Sequence, residues 1–155
     1  MGLDPGSLKT GFGLLDLSGQ SFNYVASGII RIPSSDHLPD RLLVIAEGVG
    51  ELIETYKPDI CAIEDVFFAR NPKSALKLGQ ARGAAITVAV TREIPVHEYA
   101  PRLVKQAVVG SGAATKEQVQ YMVRSILKID GEIKEDAADA LAVAICHAHL
   151  AGEGH

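Results

Sequence analysis

The chain has 155 residues, of which 47% are hydrophobic, a size and composition typical of one domain with one core. This content excludes intrinsic disorder, and the longest apolar stretches, such as residues 83–90, are far shorter than the ~20 residues that span a bilayer. The net charge of −4 conceals an asymmetry, because residues 66–116 carry +6 and the rest of the chain carries −10. Nucleic-acid binding depends on local neutralisation of phosphates, so the basic stretch is compatible with such a ligand. Ordinary solvated lysines on helix faces explain it equally well.

Cys61 and Cys146 are too few and too far apart to form a disulfide framework, and the first residues lack the pattern of a signal peptide. We therefore expect a cytoplasmic protein without a membrane segment, in which both cysteines are small buried residues.

The first third of the chain is patterned as strands. Residues 2–3, 12–15 and 24–32 are rich in apolar and β-branched residues, with a Ser18-Gly19 turn before the third run. They predict a three-stranded antiparallel meander.

Helices and strands then alternate. Apolar residues at helical spacing predict a helix from Arg41 to Tyr56, and the apolar run 60–63 predicts a buried strand that ends at Glu64. Asn71 followed by Pro72 is typical of a helix start, and that helix should continue to about Val90.

The last third predicts one more strand and three helices. The strand covers 94–99, and the helices cover 101–109, 115–128 and 136–150. Strands followed by alternating strands and helices predict one α/β domain over residues 1–155, with a mixed sheet flanked by helices.

Four acidic residues occupy positions where this pattern gives them little structural purpose. Asp4 and Glu64 each follow a strand, while Asp136 and Asp139 lie three apart on the last helix and share one face. If the strands are neighbours and the helix packs on their ends, the four carboxylates converge. Such a cluster needs cations, and Mg²⁺ prefers oxygen ligands. Two such ions can drive phosphodiester hydrolysis, and Mn²⁺ is expected to substitute.

Zinc is a poorer candidate for this chain. His147 and His149 are two apart on a helix and point in different directions, whereas zinc requires convergent ligands. We interpret them as surface or terminal histidines.

Each acid also has a purely structural explanation. Asp4 lies in an Asp-Pro-Gly turn and can bond its own backbone, Asp136 can cap its helix, and Glu64 can mark an exposed strand end. Asp139 is harder to explain, because its neighbours in sequence are alanines. Asp65 adjoins Glu64, but successive strand residues face opposite sides, and we select Glu64.

Six segments carry a resemblance to a known family. These are Leu3–Ser7, Thr10–Gly13, Ile63–Phe67, Ser74–Gly83, Val104–Gly110 and Asp136–Ala142. In this order they resemble the bacterial RuvC-type Holliday junction resolvases, from residue 3 to about 150. The resemblance implies an RNase H-like fold with a five-stranded sheet, a homodimer, and Mg²⁺-dependent cleavage of four-way DNA junctions by paired symmetric nicks. It also implies cooperation with a branch-migration motor of the RuvA and RuvB type in recombination and repair.

The matching motifs place the family's metal-binding and catalytic residues at particular positions of this chain. The four metal-binding acids of the family match the set selected above: Asp4, Glu64, Asp136 and Asp139. Asp4 resembles the carboxylate that bridges both ions. The family's basic residues near the scissile phosphate match Lys105 and Lys116, which would contact phosphate oxygens.

The resemblance also suggests DNA contacts. Phe67 matches an aromatic residue that stacks on a base at the junction centre. Arg70, Lys73 and Lys77 would lie on one helical face able to follow a phosphate backbone, and we include Arg82 among the DNA contacts.

Small residues on the same helix suggest where two copies meet. They permit close helix contact, and a twofold dimer presents two identical sites to the two strands of a junction. The residues are Gly79, Ala81, Gly83, Ala84 and Ala85.

Three other functions remain as alternatives. A protein that binds junctions without cutting them would not need all four acids. An actin-like ATPase shares an Asp-x-Gly phosphate turn but needs two such domains. A related nuclease that acts on ribosomal RNA precursors would differ in substrate.

Overall fold

A computed structural model describes residues 1–34, 37–65 and 71–153, and these ranges contain five strands and five helices. The strands are β1 (Gly2–Asp4), β2 (Lys9–Ser18), β3 (Ser21–Arg31), β4 (Cys61–Glu64) and β5 (Val96–Tyr99). The helices are α1 (Leu38–Tyr56), α2 (Pro72–Thr91), α3 (Pro101–Val109), α4 (Lys116–Leu127) and α5 (Glu135–Glu153).

The five strands form one mixed sheet in the order β3-β2-β1-β4-β5. Strands β1, β2 and β3 pair antiparallel, which confirms the predicted meander, while β1, β4 and β5 run parallel. The prediction of an α/β fold with a mixed five-stranded sheet is therefore confirmed. Because β1 and β4 are parallel neighbours, their carboxyl ends lie side by side.

Helices cover both faces of the sheet. One core cluster joins Leu3, Cys61 and Ile63 to α1 and α2, and the other joins Ala62 to α3, α4 and α5. This alternation follows the two-residue period of a strand, so every second residue faces the same layer. Asp4 and Glu64 share the parity of the residues that face α5. The prediction that both cysteines are buried is also confirmed.

The predicted helix starts agree closely with the observed ones. Asn71 accepts a hydrogen bond from the backbone of Lys73 at 2.9 Å, and Pro72 opens α2. Helix α1 begins at Leu38, three residues before the predicted start. The periodic apolar pattern used for the prediction does not extend to Pro39, but proline is tolerated in the first turn of a helix. Among the described helices, none combines the length and apolar character needed to cross a membrane.

Helix α5 lies directly on β1 and β2 because glycines leave room for its backbone. A methyl group on Gly2 would overlap with the carbonyl oxygen of Ala140, and one on Gly11 would overlap with that of Asp136. Gly13 similarly meets the side chain of Leu141. These three glycines set the height of α5 above the sheet.

His147 and His149, interpreted as surface or terminal histidines, do lie near the carboxyl end of α5 but are less exposed than that interpretation expects. Both are half-buried on α5: His147 Nδ1 lies 2.6 Å from the Tyr99 hydroxyl, and His149 Nδ1 lies 2.9 Å from the Ala107 carbonyl oxygen. The small residues of α5 let the helix approach β5 and α3 closely enough to enclose them.

Candidate active site

Two of the four selected acids stand at neighbouring strand ends. Asp4 is the last residue of β1 and Glu64 the last residue of β4, and both side chains lie on the α5 face. A parallel pairing in which Leu3 aligns with Ile63 places Asp4 level with Glu64.

The other two acids come from the first turns of α5. Asp136 is the second residue of this helix, so it lies inside the first turn and not at the N-cap position. Carboxylate oxygens of Asp4, Asp136 and Asp139 all lie within 4.8 Å of one another. The predicted convergence of these three residues is thus observed, and we call them the acidic triad.

Glu64 stands beside the acidic triad at a small cavity. This cavity, of about 250 Å³, is lined by Glu64, Asp139, Lys105 and Lys116, and its walls include Val104. Glu64 is close enough to raise the pKa of Asp4 by charge repulsion. The cavity therefore brings two predicted acids and both predicted catalytic lysines together.

Burial and mutual repulsion make this cluster costly without a cation. Burial, followed by the charges of Asp139, Glu64 and Asp136, raises the pKa of Asp4 to about 7. Burial also raises the pKa of Glu64 and of Asp139, although nearby lysines oppose both shifts. Carboxylates kept partly dry and close together are stabilised by a hard divalent cation, which supplies charge and accepts oxygen ligands. The donor set of the acidic triad therefore fits a metal ion, and Glu64 lies beside it on the wall of the cavity.

Two lysines partly balance the charge of α5. Lys116 forms ion pairs with Glu135 and, at 3.4 Å, with Asp139, and its pKa is raised chiefly by the hydrogen bond to Glu135. Lys9 Nζ lies 2.8 Å from Asp136 Oδ2. Lys9 was not among the site residues predicted from the sequence. The signal was available in the predicted meander, because Lys9 lies two residues from Gly11, the partner of Asp4, and so faces the same side.

The residues predicted to contact DNA are distributed differently. Phe67 and Arg70 lie outside the described residues. Lys73 and Lys77 are exposed on the first turns of α2. The Arg82 side chain is only 15% exposed and pairs with Glu98, so it is not displayed on the surface like the two lysines.

A larger cavity lies at the opposite end of the sheet. Its volume is about 560 Å³, and its lining includes Asp16, Asp59 and His147. Within residues 1–34, 37–65 and 71–153, the acidic triad is the one group of three or more potential ligands close enough to share a metal ion. The smaller cavity and the acidic triad are therefore the candidate active site.

Comparisons with known proteins show which family the chain resembles. The family model of the crossover junction endodeoxyribonuclease RuvC matches residues 1–147. RuvC of Saccharophagus degradans is 60% identical over 147 residues, which cover 95% of this chain and 85% of that protein. The structure of Thermus thermophilus RuvC is 34% identical and superimposes with a TM-score of 0.90, covering 99% of this chain and 95% of that chain. Thermus thermophilus RuvC in complex with a Holliday junction substrate gives a TM-score of 0.93 at 34% identity, covering 99% of this chain and 94% of that chain.

The fold is RNase H-like, and it carries an acidic cluster that could hold a metal ion, which together indicate a nuclease of the RNase H-like class. Since the family model spans nearly the whole chain, the chain belongs to the RuvC family of crossover junction endodeoxyribonucleases.

The raised pKa of Asp4 predicts how the stability of the metal-free protein depends on pH. The folded state keeps a proton on Asp4 up to about pH 7, whereas the unfolded chain releases it near 3.8. Unfolding therefore releases a proton in this window, and the free energy of unfolding should fall as pH rises from about 4 to 7, by roughly 2–4 kcal/mol. Denaturant melts in a chelating buffer measure this. Asp4→Asn should show a shallower fall, and identical slopes for the two proteins would contradict the assignment.

Proposed function

We propose that this protein resolves Holliday junctions by nicking two opposed strands symmetrically, in DNA recombination and repair. The observation that carries the proposal is the acidic triad with Glu64, beside two lysines, in a fold shared with a RuvC solved on a Holliday junction. No comparable group exists elsewhere in the described part of the chain.

The acids would hold two Mg²⁺ ions, with Mn²⁺ able to replace them. Bound there, the ions supply a water of lowered pKa and electrostatic stabilisation of the leaving oxygen. The charges of Glu64 on β4 and of Asp136 and Asp139 on α5 all act on Asp4, so Asp4 would be a ligand common to both sides of the cluster. Asp136 and Asp139 approach from α5 and Glu64 from β4, so the protein supplies oxygen ligands from three elements.

Lys105 and Lys116 place positive charge on the cavity wall next to Glu64 and Asp139. Ammonium groups there would bind non-bridging phosphate oxygens and stabilise the negative charge that develops as the phosphodiester is attacked. Lys116 must leave its ion pairs on α5 to do this.

The DNA path would continue along α2. Lys73 and Lys77 are exposed on its first turns and can follow a phosphate backbone, with Arg70 preceding them in the chain. Phe67 would stack on a base at the junction centre.

The outer face of α2 supports the proposed homodimer. Leu76 and Val90 are 66% and 56% exposed, and Gly79 and Gly83 lie on the same helical face. Ala81 and Ala85 were predicted to share this contact but are packed in the core of one subunit, and Ala84 packs partly against that core. A smooth apolar stripe allows two copies to approach closely, and a twofold pair would present two equivalent sites to one junction.

Family membership also supports a role beside a branch-migration motor of the RuvA and RuvB type in the cytoplasm. That motor would deliver the four-way junction on which this protein acts.

A cleavage assay on synthetic DNA tests the function. Purified protein is incubated with an end-labelled four-way junction, a linear duplex of the same sequence and a structured RNA, with and without Mg²⁺. We expect paired nicks on opposed strands of the junction alone, only with the metal. Binding without cutting would favour a structural junction binder, and cutting of the RNA alone would favour the RNA-processing alternative.

Lys105→Ala should separate chemistry from binding. We expect the single-turnover cleavage rate to fall about a hundredfold, because a preorganised positive charge at the scissile phosphate is lost. Junction affinity should stay within a few-fold, since many other phosphate contacts remain. In the matched variant Lys77→Ala, affinity should fall while the rate at saturating protein is kept. Equal behaviour of the two variants would contradict the catalytic placement of Lys105.

Lys9→Met should strengthen metal binding. The ammonium of Lys9 competes for Asp136, and exposed ion pairs are worth up to about 1 kcal/mol, so we expect Mn²⁺ to bind about two- to fivefold more tightly. Calorimetric titration without DNA measures this. Lys128→Met is the control. Lys116, at the start of α4, lies at the candidate site, whereas Lys128 caps the other end of this helix, about 18 Å from Lys116. Weaker binding to Lys9→Met than to wild type would show that Lys9 supports the metal and does not compete with it.

A further inference from the structure

Arg82 occupies an unusual position for a basic residue on a DNA-binding helix. Its side chain is only 15% exposed, and Nη2 lies 2.6 Å from Glu98 Oε1 on β5. Nε donates to the backbone carbonyl oxygen of Glu64 at 3.3 Å, and Nη2 is also 3.7 Å from Asp65 Oδ1. The guanidinium thus joins α2, the end of β4 and β5.

The Glu64 carbonyl oxygen that accepts from Arg82 lies at the carboxyl end of β4. Glu64 is the last residue of β4, and its neighbour β1 ends at Asp4. On the side of β4 that faces β5, the backbone amide of Asp65 donates to the Tyr99 carbonyl oxygen at 2.7 Å. Arg82 and Tyr99 therefore hold the peptide that leaves the strand immediately after Glu64.

A guanidinium in this place is costly unless it is paired, because removal from water penalises the charge. Glu98 supplies the pairing charge. It aligns with Ile63 in the parallel register of β4 and β5, so the anchor and the strand end belong to the same part of the sheet. The planar fork of arginine bonds a carboxylate and a carbonyl oxygen from separate nitrogens in a fixed geometry, which the single nitrogen of lysine on its flexible stem does not reproduce.

We infer that Arg82 is a positioning residue for Glu64: it fixes the carboxyl end of β4 so that the Glu64 carboxylate stays beside Asp139. The inference rests on the proposed function and gives Arg82 a different role from the exposed lysines of the same helix. Loss of the anchor frees the strand end and misplaces a metal ligand, whereas loss of a DNA contact weakens binding.

The test compares Arg82→Gln, Arg82→Lys, Glu98→Gln and, as a control on the same helix, Lys77→Gln. Three quantities are measured: junction affinity without divalent metal, single-turnover cleavage at saturating protein, and Mn²⁺ affinity by calorimetry without DNA. For Arg82→Gln we expect the rate and the metal affinity each to fall about ten- to a hundredfold, the range seen when a residue that orients a metal ligand is lost. Junction affinity should stay within about twofold.

Arg82→Lys should keep a higher cleavage rate and Mn²⁺ affinity than Arg82→Gln, though lower ones than wild type. Glu98→Gln should also lower the cleavage rate, but by less than Arg82→Gln does. The double variant should be no slower than Arg82→Gln alone, because Glu98 acts through Arg82. Lys77→Gln should show the opposite pattern, with reduced junction affinity and no loss of Mn²⁺ affinity. If Arg82→Gln does not fold, Arg82→Lys and Glu98→Gln decide by the same three measurements.

Two results would overturn the inference. One is that Arg82→Gln behaves like Lys77→Gln, which would make Arg82 a DNA contact. The other is that its rate and metal affinity equal those of wild type. A wild-type protein that binds Mn²⁺ but does not cut junctions would instead refute the proposed function, and the metal titration would still test the placement of Glu64 by Arg82.

Discussion

Asp4→Asn should lower the rate of junction cleavage by at least about a thousandfold, while junction affinity stays within a few-fold of wild type. Asp4 is the most strongly perturbed acid of the site, and its charge interacts with Asp139, Glu64 and Asp136. An amide removes the negative charge that the proposed ions need. A thousandfold loss corresponds to about 4 kcal/mol of transition-state stabilisation, within the range a metal site provides. Removing a carboxylate also reduces repulsion of DNA phosphates, so binding has no reason to weaken.

Single-turnover cleavage and a gel-shift titration without divalent metal measure the two effects. Asp16→Asn is the matched control, because Asp16 is an exposed acid on β2 beside the larger cavity, at the opposite end of the sheet. It should cut at the wild-type rate. Substantial cleavage by Asp4→Asn would remove Asp4 from the chemistry.

Gly11→Ala should both destabilise the protein and impair cleavage. Gly11 pairs with Asp4 across β1 and β2, and an added methyl group would overlap with the Asp136 carbonyl oxygen and lie 3.0 Å from the Asp136 Cβ. A backbone atom cannot move aside as a flexible side chain can, so α5 must shift. We expect a loss of about 3 kcal/mol or more in the free energy of unfolding, at the upper end of overpacking costs. The same shift displaces Asp136 from Asp4.

Denaturant melts and cleavage rates at a temperature where the variant is folded separate the two effects. Gly152→Ala on α5, the helix that Gly11→Ala would displace, is the control, because a methyl group at Gly152 meets nothing within 4 Å. Alanine in a helix should raise stability slightly, by up to about 1 kcal/mol. A Gly11→Ala protein as stable and active as wild type would show that α5 does not rest on β2 as described.

Much of the fold was predictable because local patterns and packing agree. The apolar run before Glu64, the Asn71-Pro72 helix start and the small residues of α5 each specify an element that the structure contains. The acidic triad was predictable for a related reason. Asp4 ends a strand, and helical spacing places Asp136 and Asp139 on one face, so a single assumption about packing brings them together.

Pairing between distant side chains was less predictable. A basic residue on a helix in a basic stretch is ordinarily exposed, and nothing local shows that Arg82 turns toward Glu98 and the Glu64 carbonyl oxygen. The contact of Lys9 with Asp136 depends on how closely α5 approaches β2, which Gly11 determines. The half-buried positions of the α5 histidines depend on how closely α5 approaches β5 and α3.

The most direct test is a crystal structure of the protein soaked with Mn²⁺, read from the anomalous scattering of the metal. We expect two peaks within bonding distance of the acidic triad and Glu64, and their loss in Asp4→Asn crystals. Peaks elsewhere on the surface, with none among these four carboxylates, would contradict it.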